Sequence, residues 1–143
     1  MSQFGKTKLV KKMHFDKSAQ EKLLTGIDKI AEAVGSTLGA SGRNVIIEND
    51  YGDPHVTKDG VTVANNILLQ DPVENIAVSM MKQAAQKTAS IAGDGTTTSI
   101  VLTKAIIDSF YKLKGQDFSF RDIKSGINKF AKDVIKYITD KAI

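Results

Sequence analysis

The chain of 143 residues has the length of one domain, and its 41% hydrophobic and 25% charged residues are ordinary for a globular protein. The absence of cysteine excludes disulfide scaffolds, cysteine-ligated zinc, iron–sulfur clusters and thiol nucleophiles. No apolar run approaches the roughly 20 residues of a membrane-spanning helix, and no apolar segment follows the N-terminal lysines as in a secretory signal. We therefore expect a soluble intracellular protein with no membrane partner.

The net charge of +4 is unevenly distributed. Residues 1–14 carry four lysines and no acid, residues 15–103 carry seven basic and eleven acidic side chains, and residues 104–143 carry nine and five. Nucleic-acid-binding domains usually show a basic face interleaved with aromatic or arginine side chains. This chain has two arginines, and its C-terminal lysines mostly lie between apolar positions. We expect solvated helix faces and no nucleic-acid partner; a basic-tailed nucleic-acid binder is kept as a third hypothesis.

The first predicted element is an amphipathic helix over about residues 17–36. Ser18-Ala19-Gln20-Glu21 forms a capping-box pattern, with Asp16 as a competing cap. Glycines interrupt the next stretch, where residues 44–48 and 54–57 predict a β-hairpin that turns at Gly52. A short helix is expected after Asp59-Gly60.

Three longer helices are predicted in the second half of the chain. The first ends at a glycine cap, Gly93, and the second ends at Gly115. The third begins at Ser119, with Asp122 as its capping partner and with Phe118 and Ile123 placed for a hydrophobic staple. The apolar stripe of the first is Val73, Ile76, Ala77, Met80, Ala84 and Ile91; that of the third is Phe120, Ile123, Ile127, Phe130, Val134 and Ile138. The predicted fold class is mainly α, with long amphipathic helices and a small β-hairpin.

The segment with the most chemical potential is Ala92-Gly93-Asp94-Gly95-Thr96-Thr97-Thr98. One helix ends here, two glycines flank a carboxylate, and three hydroxyls open the next helix. The first turn of a helix has unpaired backbone N–H groups and partial positive charge, which suit phosphate oxygens. The threonine hydroxyls can donate to phosphate, and Asp94 can bind a magnesium ion that bridges phosphates. Residue types alone also allow an ordinary helix–helix turn in which Asp and Thr act only as caps.

Two further glycine-rich loops can contact an anion. Residues 37–44, between a helix and a strand, can surround a phosphate with N–H groups, or form a simple connection with a glycine cap. Thr57-Lys58-Asp59-Gly60 offers a positive charge and a carboxylate that can orient water, and its alternative is a plain Asp-Gly turn. The Asp94 loop is neither a Walker A sequence nor a dinucleotide-binding fingerprint.

Taken together and in this order, the three loops resemble the group I chaperonins, the GroEL-like heat-shock family of bacteria and organelles. Residues 37–45, 57–64 and 92–98 carry the resemblance, and residues 122–127 look like the family's fourth helix. The resemblance runs from about Lys12 to the last residue. It implies a basic N-terminal tail or strand at 1–15 and, at 16–143, the first segment of an equatorial ATP-binding domain.

The resemblance implies an ATP site that uses magnesium and potassium. Asp59 would be the catalytic residue, one of two carboxylates that flank the attacking water. Asp94 would bind magnesium, and the main-chain carbonyls of Thr37 and Lys58 would bind potassium. The implied ATP-binding positions are Thr37, Leu38, Gly39, Ala40, Lys58, Asp94, Gly95, Thr96, Thr97 and Thr98.

The implied function is that of an ATP-dependent protein-folding chaperonin subunit, an ATPase classed with the isomerases. The hairpin and the N-terminal strand would pair with neighbouring subunits in a homo-oligomeric ring. A lid co-chaperonin of the GroES type and unfolded client proteins are the other implied partners. The implied compartment is the cytoplasm, an organelle matrix or a virus-infected cell.

Two departures from the family bear on activity. Ala40 and Ser41 stand where the family usually has Pro and Lys, and loss of the fixed proline φ loosens the loop. By this resemblance the chain stops short of the second catalytic carboxylate, the apical and intermediate domains and the second equatorial segment. We therefore expect the isolated chain to be nearly inactive. The alternative hypothesis is a stand-alone module that docks on chaperonin rings without ATP turnover.

Overall fold

The computed structural model describes residues 16–49, 52–113 and 118–142. Over these ranges the element order is α1 (Asp16–Gly35), β1 (Val45–Ile47), β2 (His55–Thr57), α2 (Gly60–Asn66), α3 (Pro72–Ala92), α4 (Thr96–Leu113) and α5 (Phe120–Lys141). The predicted mainly α fold with a small β-hairpin is confirmed. The predicted tail, residues 1–15, lies outside the described residues. The chain divides after Ile100 into two compact units.

The core of the first unit lies where α1 packs on α3 and α2. Ile30 and Ile100 are almost completely buried, and each contributes about 1.5–3 kcal/mol by leaving water. The remaining buried members of the cluster are Ala31, Val34, Val63, Ala64, Val78, Met81 and Ala85. This core holds α1, α2, α3 and the beginning of α4 together.

The predicted apolar stripe of α3 is only partly correct. Val73 and Ala77 are buried, but Ile76 and Met80 are 55% and 63% exposed. The core side of α3 carries Val78, Met81 and Ala85 instead. The helix has apolar residues on both sides, and the position of α1 decides which side is buried.

Helices α1 and α3 approach each other closely at Gly26. A Cβ atom at this position would lie 2.3 Å from the carbonyl oxygen of Glu74, so a hydrogen is required there. Two ion pairs flank the contact: Lys22 to Asp71 at 2.5 Å and Lys29 to Glu74 at 2.6 Å. The Lys22 ammonium and the N–H groups at the start of α3 lower the pKa of Asp71 to about 2. Asp71 is therefore ionised at neutral pH and caps α3 as a carboxylate.

The ends of the helices test the predicted caps. Gly93 ends α3 with a φ of 79°, as predicted. Ser119 accepts from the Asp122 N–H, and its hydroxyl lies 2.5 Å from the Asp122 carboxylate, so this capping pair is also confirmed. The capping box at Ser18 is wrong, because helical hydrogen bonding extends back to Asp16 and leaves Ser18 inside the first turn.

The two strands form the predicted antiparallel hairpin. Val45 pairs with Thr57, Ile46 with Val56, and Ile47 with His55. The Ile46–Val56 pair lies on the exposed face of the hairpin, whereas Val45 packs against the core. The hairpin thus has one half-buried face and one apolar face in solvent.

The second unit, residues 101–143, contains most of α4 and all of α5. The predicted stripe of α5 lies on one face, but no described residue of the helix is buried, and Phe130 is 70% exposed. That face and α4 line an open apolar groove of about 870 Å³. Across the described residues, no helix combines the length and apolarity needed to cross a bilayer.

The contact at Gly26 predicts a large difference between two glycine-to-alanine substitutions. Gly26→Ala should destabilise the chain by about 1–3 kcal/mol, because the new Cβ must push Glu74 and α3 away. Gly126→Ala on α5 is the control, since among the described residues no atom beyond its chain neighbours and its own helix backbone lies within 4 Å of its added Cβ. It should be neutral, or stabilising by up to about 1 kcal/mol. Urea unfolding of both variants measures the difference; equal effects would contradict the described packing.

Candidate functional site

The loop after α1 folds back on itself around Thr37. The Thr37 hydroxyl donates to the carbonyl of Val34 at 2.7 Å, and its N–H donates to the same oxygen at 3.1 Å. Gly39 has a φ of 77°, which favours glycine. A Cβ on Gly42 would lie 2.2 Å from the Thr37 carbonyl oxygen. These glycines let the backbone turn tightly and keep the Thr37 side chain in a defined place.

The second loop leads from β2 into α2 and is organised by Asp59. Its carboxylate accepts from the Val61 N–H at 3.3 Å, the Thr62 N–H at 2.9 Å and the Thr62 hydroxyl at 2.6 Å. The Asp59 N–H donates to the hydroxyl of Thr57 at 3.0 Å. The Thr62 hydroxyl, with these backbone groups, lowers the pKa of Asp59. Asp59 is thus a fixed, ionised acceptor, suited to orienting water.

The third loop joins α3 to α4 through Gly93, Asp94 and Gly95. Both glycines have positive φ, 79° and 91°. The Gly95 N–H donates to the Asp94 carboxylate at 2.6 Å, which orients that side chain. Helix α4 begins directly afterwards at Thr96, with the unpaired N–H groups of a helix N-terminus.

Thr96 carries an unusual feature for a buried polar residue. Its side chain is only 5% exposed, and its hydroxyl has no hydrogen-bond partner among the described residues. A buried hydroxyl without a partner costs about 1–3 kcal/mol. This hydroxyl is therefore a costly buried group at the start of α4 that the described residues do not explain.

The three loops meet at Gly60, the first residue of α2. A Cβ on Gly60 would lie 2.0 Å from the Thr97 hydroxyl oxygen and 3.3 Å from that of Thr37. Residues from positions 37, 60 and 97 therefore share one small volume, although they are far apart in sequence. The structure brings Thr37, Thr97 and the backbone next to Asp59 together, as required of a common site.

The other predicted site residues lie on the same three loops or in the first turn of α4. Gly95 is half-buried and Thr96 is buried. The remaining side chains are exposed, namely Leu38, Ala40, Lys58, Asp94 and Thr98. Thr62 was missed, although an Asp followed three residues later by Thr is a recognisable helix-start pattern.

The donors present fit a phosphate-bearing ligand with a magnesium ion. In the part of the chain that the structure describes, no three His, Asp or Glu side chains form a metal-binding group. Mg²⁺ is commonly bound through one or two carboxylates together with phosphate oxygens, and Asp94 meets that need. The start of α4, with the N–H groups of a helix N-terminus, lies next to Asp94 and in contact with Gly60.

Comparison with known proteins gives consistent matches. The family model described as the TCP-1/cpn60 chaperonin family matches residues 30–143. This chain is also similar to two crystal structures of the chaperonin gp146 from the bacteriophage EL 2 (Pseudomonas aeruginosa), both in the presence of ATP-BeFx. Crystal form II is 36% identical with a TM-score of 0.63, and the match covers 73% of this chain and 18% of that chain. Crystal form I is 38% identical with a TM-score of 0.59, covering 64% and 16%. The resemblance read from the three loops is thereby confirmed.

The meeting of loops at Gly60 can be tested without any ligand. Gly60→Ala should destabilise the chain by about 1–3 kcal/mol, because its Cβ collides with the Thr97 side chain. Thr97→Ala removes the nearest oxygen, so the double variant should recover part of the loss. A double-mutant cycle from urea unfolding measures the coupling. Strictly additive effects would show that positions 60 and 97 are not in contact.

Proposed function

Because the chain belongs to the TCP-1/cpn60 chaperonin family, we propose that it is the ATP-binding equatorial segment of a protein-folding chaperonin subunit. The observation that carries the proposal is the contact at Gly60, where the loops of Thr37, Asp59 and Thr97 meet. The N-terminus of α4, which begins at Thr96 beside this contact, supports a ligand rich in oxygen acceptors. The related phage chaperonin was crystallised in the presence of ATP-BeFx, which agrees with a nucleotide as that ligand.

In this proposal each loop has a distinct task. Residues 37–40 contact the nucleotide, largely through the backbone, and Lys58 places a positive charge beside the phosphates. Gly95 and Thr96 to Thr98 donate to phosphate oxygens from the start of α4. Asp94 binds magnesium, which neutralises phosphate charge when present, and the carbonyls of Thr37 and Lys58 bind potassium.

Asp59 is proposed as the carboxylate that orients the attacking water. Its three hydrogen bonds hold the side chain in one position, and its lowered pKa keeps it ionised at neutral pH. Such a group acts by positioning and charge more than by taking a proton, since a low pKa makes it a weak base. The second carboxylate that the family resemblance requires is expected from another part of the subunit.

The chain spans 18% and 16% of the two phage chaperonin chains that it matches. We propose that chaperonin polypeptide beyond the matched stretch covers the α4–α5 groove, because the groove is apolar and its α5 side is exposed. The exposed Ile46–Val56 face and open edges of the hairpin suit strand pairing with a neighbouring ring subunit. A ring, a lid co-chaperonin and unfolded clients are the proposed partners.

The nucleotide site is tested by calorimetric titration of the 143-residue chain with ATP, with and without magnesium. We expect magnesium-dependent binding and hydrolysis close to background. Asp94→Ala should lower the affinity about tenfold or more and remove its dependence on magnesium, because interactions with charged groups contribute about 1.5–3 kcal/mol.

Asp108→Ala is the matched control, since this carboxylate lies on α4 in an ion pair with Lys104 at 2.6 Å, outside the three loops. It should bind as the unaltered chain does. An unaltered chain with no magnesium-dependent affinity would contradict the proposal, and turnover at the rate of a complete ring would contradict the expected near-inactivity.

A further inference from the structure

Thr88, on the last turns of α3, lies beside the loop that leads to α4. Its methyl carbon Cγ2 lies 3.6 Å from the point that a Cβ on Gly95 would occupy, an ordinary packing distance. Gly95 has a φ of 91°, a conformation that side chains rarely adopt. The Thr88 methyl therefore lies beside Gly95, the residue whose N–H donates to the Asp94 carboxylate.

The Thr88 hydroxyl also reaches the first turn of α4. Its Oγ1 lies 3.2 Å from the Ser99 Oγ and 3.2 Å from the carbonyl oxygen of Ala84. Thr88 has one proton and the Ala84 carbonyl only accepts, so when Thr88 donates to Ala84 the Ser99 hydroxyl is the donor of the Thr88–Ser99 pair. Thr88 thus joins α3 to α4 across the loop.

A backbone hydrogen bond joins Ser99 to Gly95. The Ser99 N–H donates to the Gly95 carbonyl at 2.8 Å, the first helical hydrogen bond of α4. A backbone hydrogen bond thus joins Gly95 to Ser99, a hydroxyl pair joins Ser99 to Thr88, and the Thr88 methyl lies beside Gly95. The hydroxyl pair ties the end of α3 to the first turn of α4, which leaves the loop between them less freedom than the two helix ends alone would.

We propose that Thr88 is a positioning residue for the nucleotide site, which holds Gly95 and the first turn of α4 in the arrangement that accepts phosphate. The inference rests on the proposed function and assigns Thr88 and Ser99 a role that they perform through Gly95, without touching the ligand. Without the hydroxyl pair the chain still folds, but the loop at Gly95 samples more orientations. Magnesium-ATP affinity therefore falls more than the stability of the folded chain does.

The test is magnesium-ATP affinity of the 143-residue chain, measured by calorimetry for four variants. Thr88→Val keeps the branched shape and the methyl group of the side chain and removes the hydroxyl. Ser99→Ala removes the Thr88–Ser99 hydroxyl pair from the side of α4. Each should weaken binding by roughly three- to tenfold, the range expected for one hydrogen bond. The losses in the double variant should be less than additive, because either change alone already removes the Thr88–Ser99 pair. Thr88→Ser, which keeps the hydroxyl, should retain most of the affinity.

Ser79→Ala is the matched control, because the Ser79 hydroxyl makes the same kind of bond to its own helix, with the Asn75 carbonyl at 2.9 Å. Its affinity should equal that of the unaltered chain. Thermal unfolding without nucleotide should show Thr88→Val and Ser99→Ala close to this control. The amide resonance of Gly95 in the NMR spectrum should shift in Thr88→Val and in Ser99→Ala, and should remain unchanged in Ser79→Ala.

The outcomes separate the two proposals. If the unaltered chain binds magnesium-ATP and Thr88→Val binds equally well, the role of Thr88 is overturned and the nucleotide site stands. The positioning role is also overturned if the loss of magnesium-ATP affinity in each variant is matched by its loss of thermal stability. It is overturned likewise if Thr88→Ser binds magnesium-ATP no more tightly than Thr88→Val. If the unaltered chain binds no nucleotide, the proposed function itself fails, and the role of Thr88 fails with it.

Discussion

The structure of the site depends on how closely α2 approaches the first turn of α4. Gly60 makes this approach possible, because any side chain there would occupy the place of the Thr97 hydroxyl. With Gly60 in contact with Thr97, the cap at Asp59 and the loop at Thr37 are placed next to the start of α4. The core around Ile30, Val63 and Ile100 holds the helices in this arrangement. One glycine contact thus turns three separate loops into one site.

The two units differ in how much of their apolar surface is covered. The first has a core built from four helices, whereas α5 has none of its described residues buried and has apolar side chains in solvent along its length. An exposed apolar face of this size is typical of an interaction surface. The three loops of the proposed nucleotide site lie in the covered unit, and orientation of phosphate-binding groups to within fractions of an ångström requires such a packed support.

Local chemistry made much of this predictable. The cap at Gly93 and the Ser119–Asp122 pair depend on residues next to each other in sequence, and both were predicted correctly. The buried side of α3 was not, because Ile76 and Met80 are as apolar as Val78 and Met81 and only the position of α1 distinguishes them. The contact at Gly60 and the Thr88–Ser99 bond join residues on different elements. The order of the three loops in the sequence therefore indicated a common site, but the contacts within it could be read only from the fold.

The central claim is that these three loops form one magnesium-nucleotide site, and amide chemical-shift mapping tests it most directly. Magnesium-ADP, which is not turned over, is added to the isotopically labelled 143-residue chain. The account predicts that the amides of residues 37–40, 58–60 and 94–98 shift together, along one binding curve, while those of α5 stay unchanged. Shifts confined to one loop, or shifts centred on the α4–α5 groove, would contradict it.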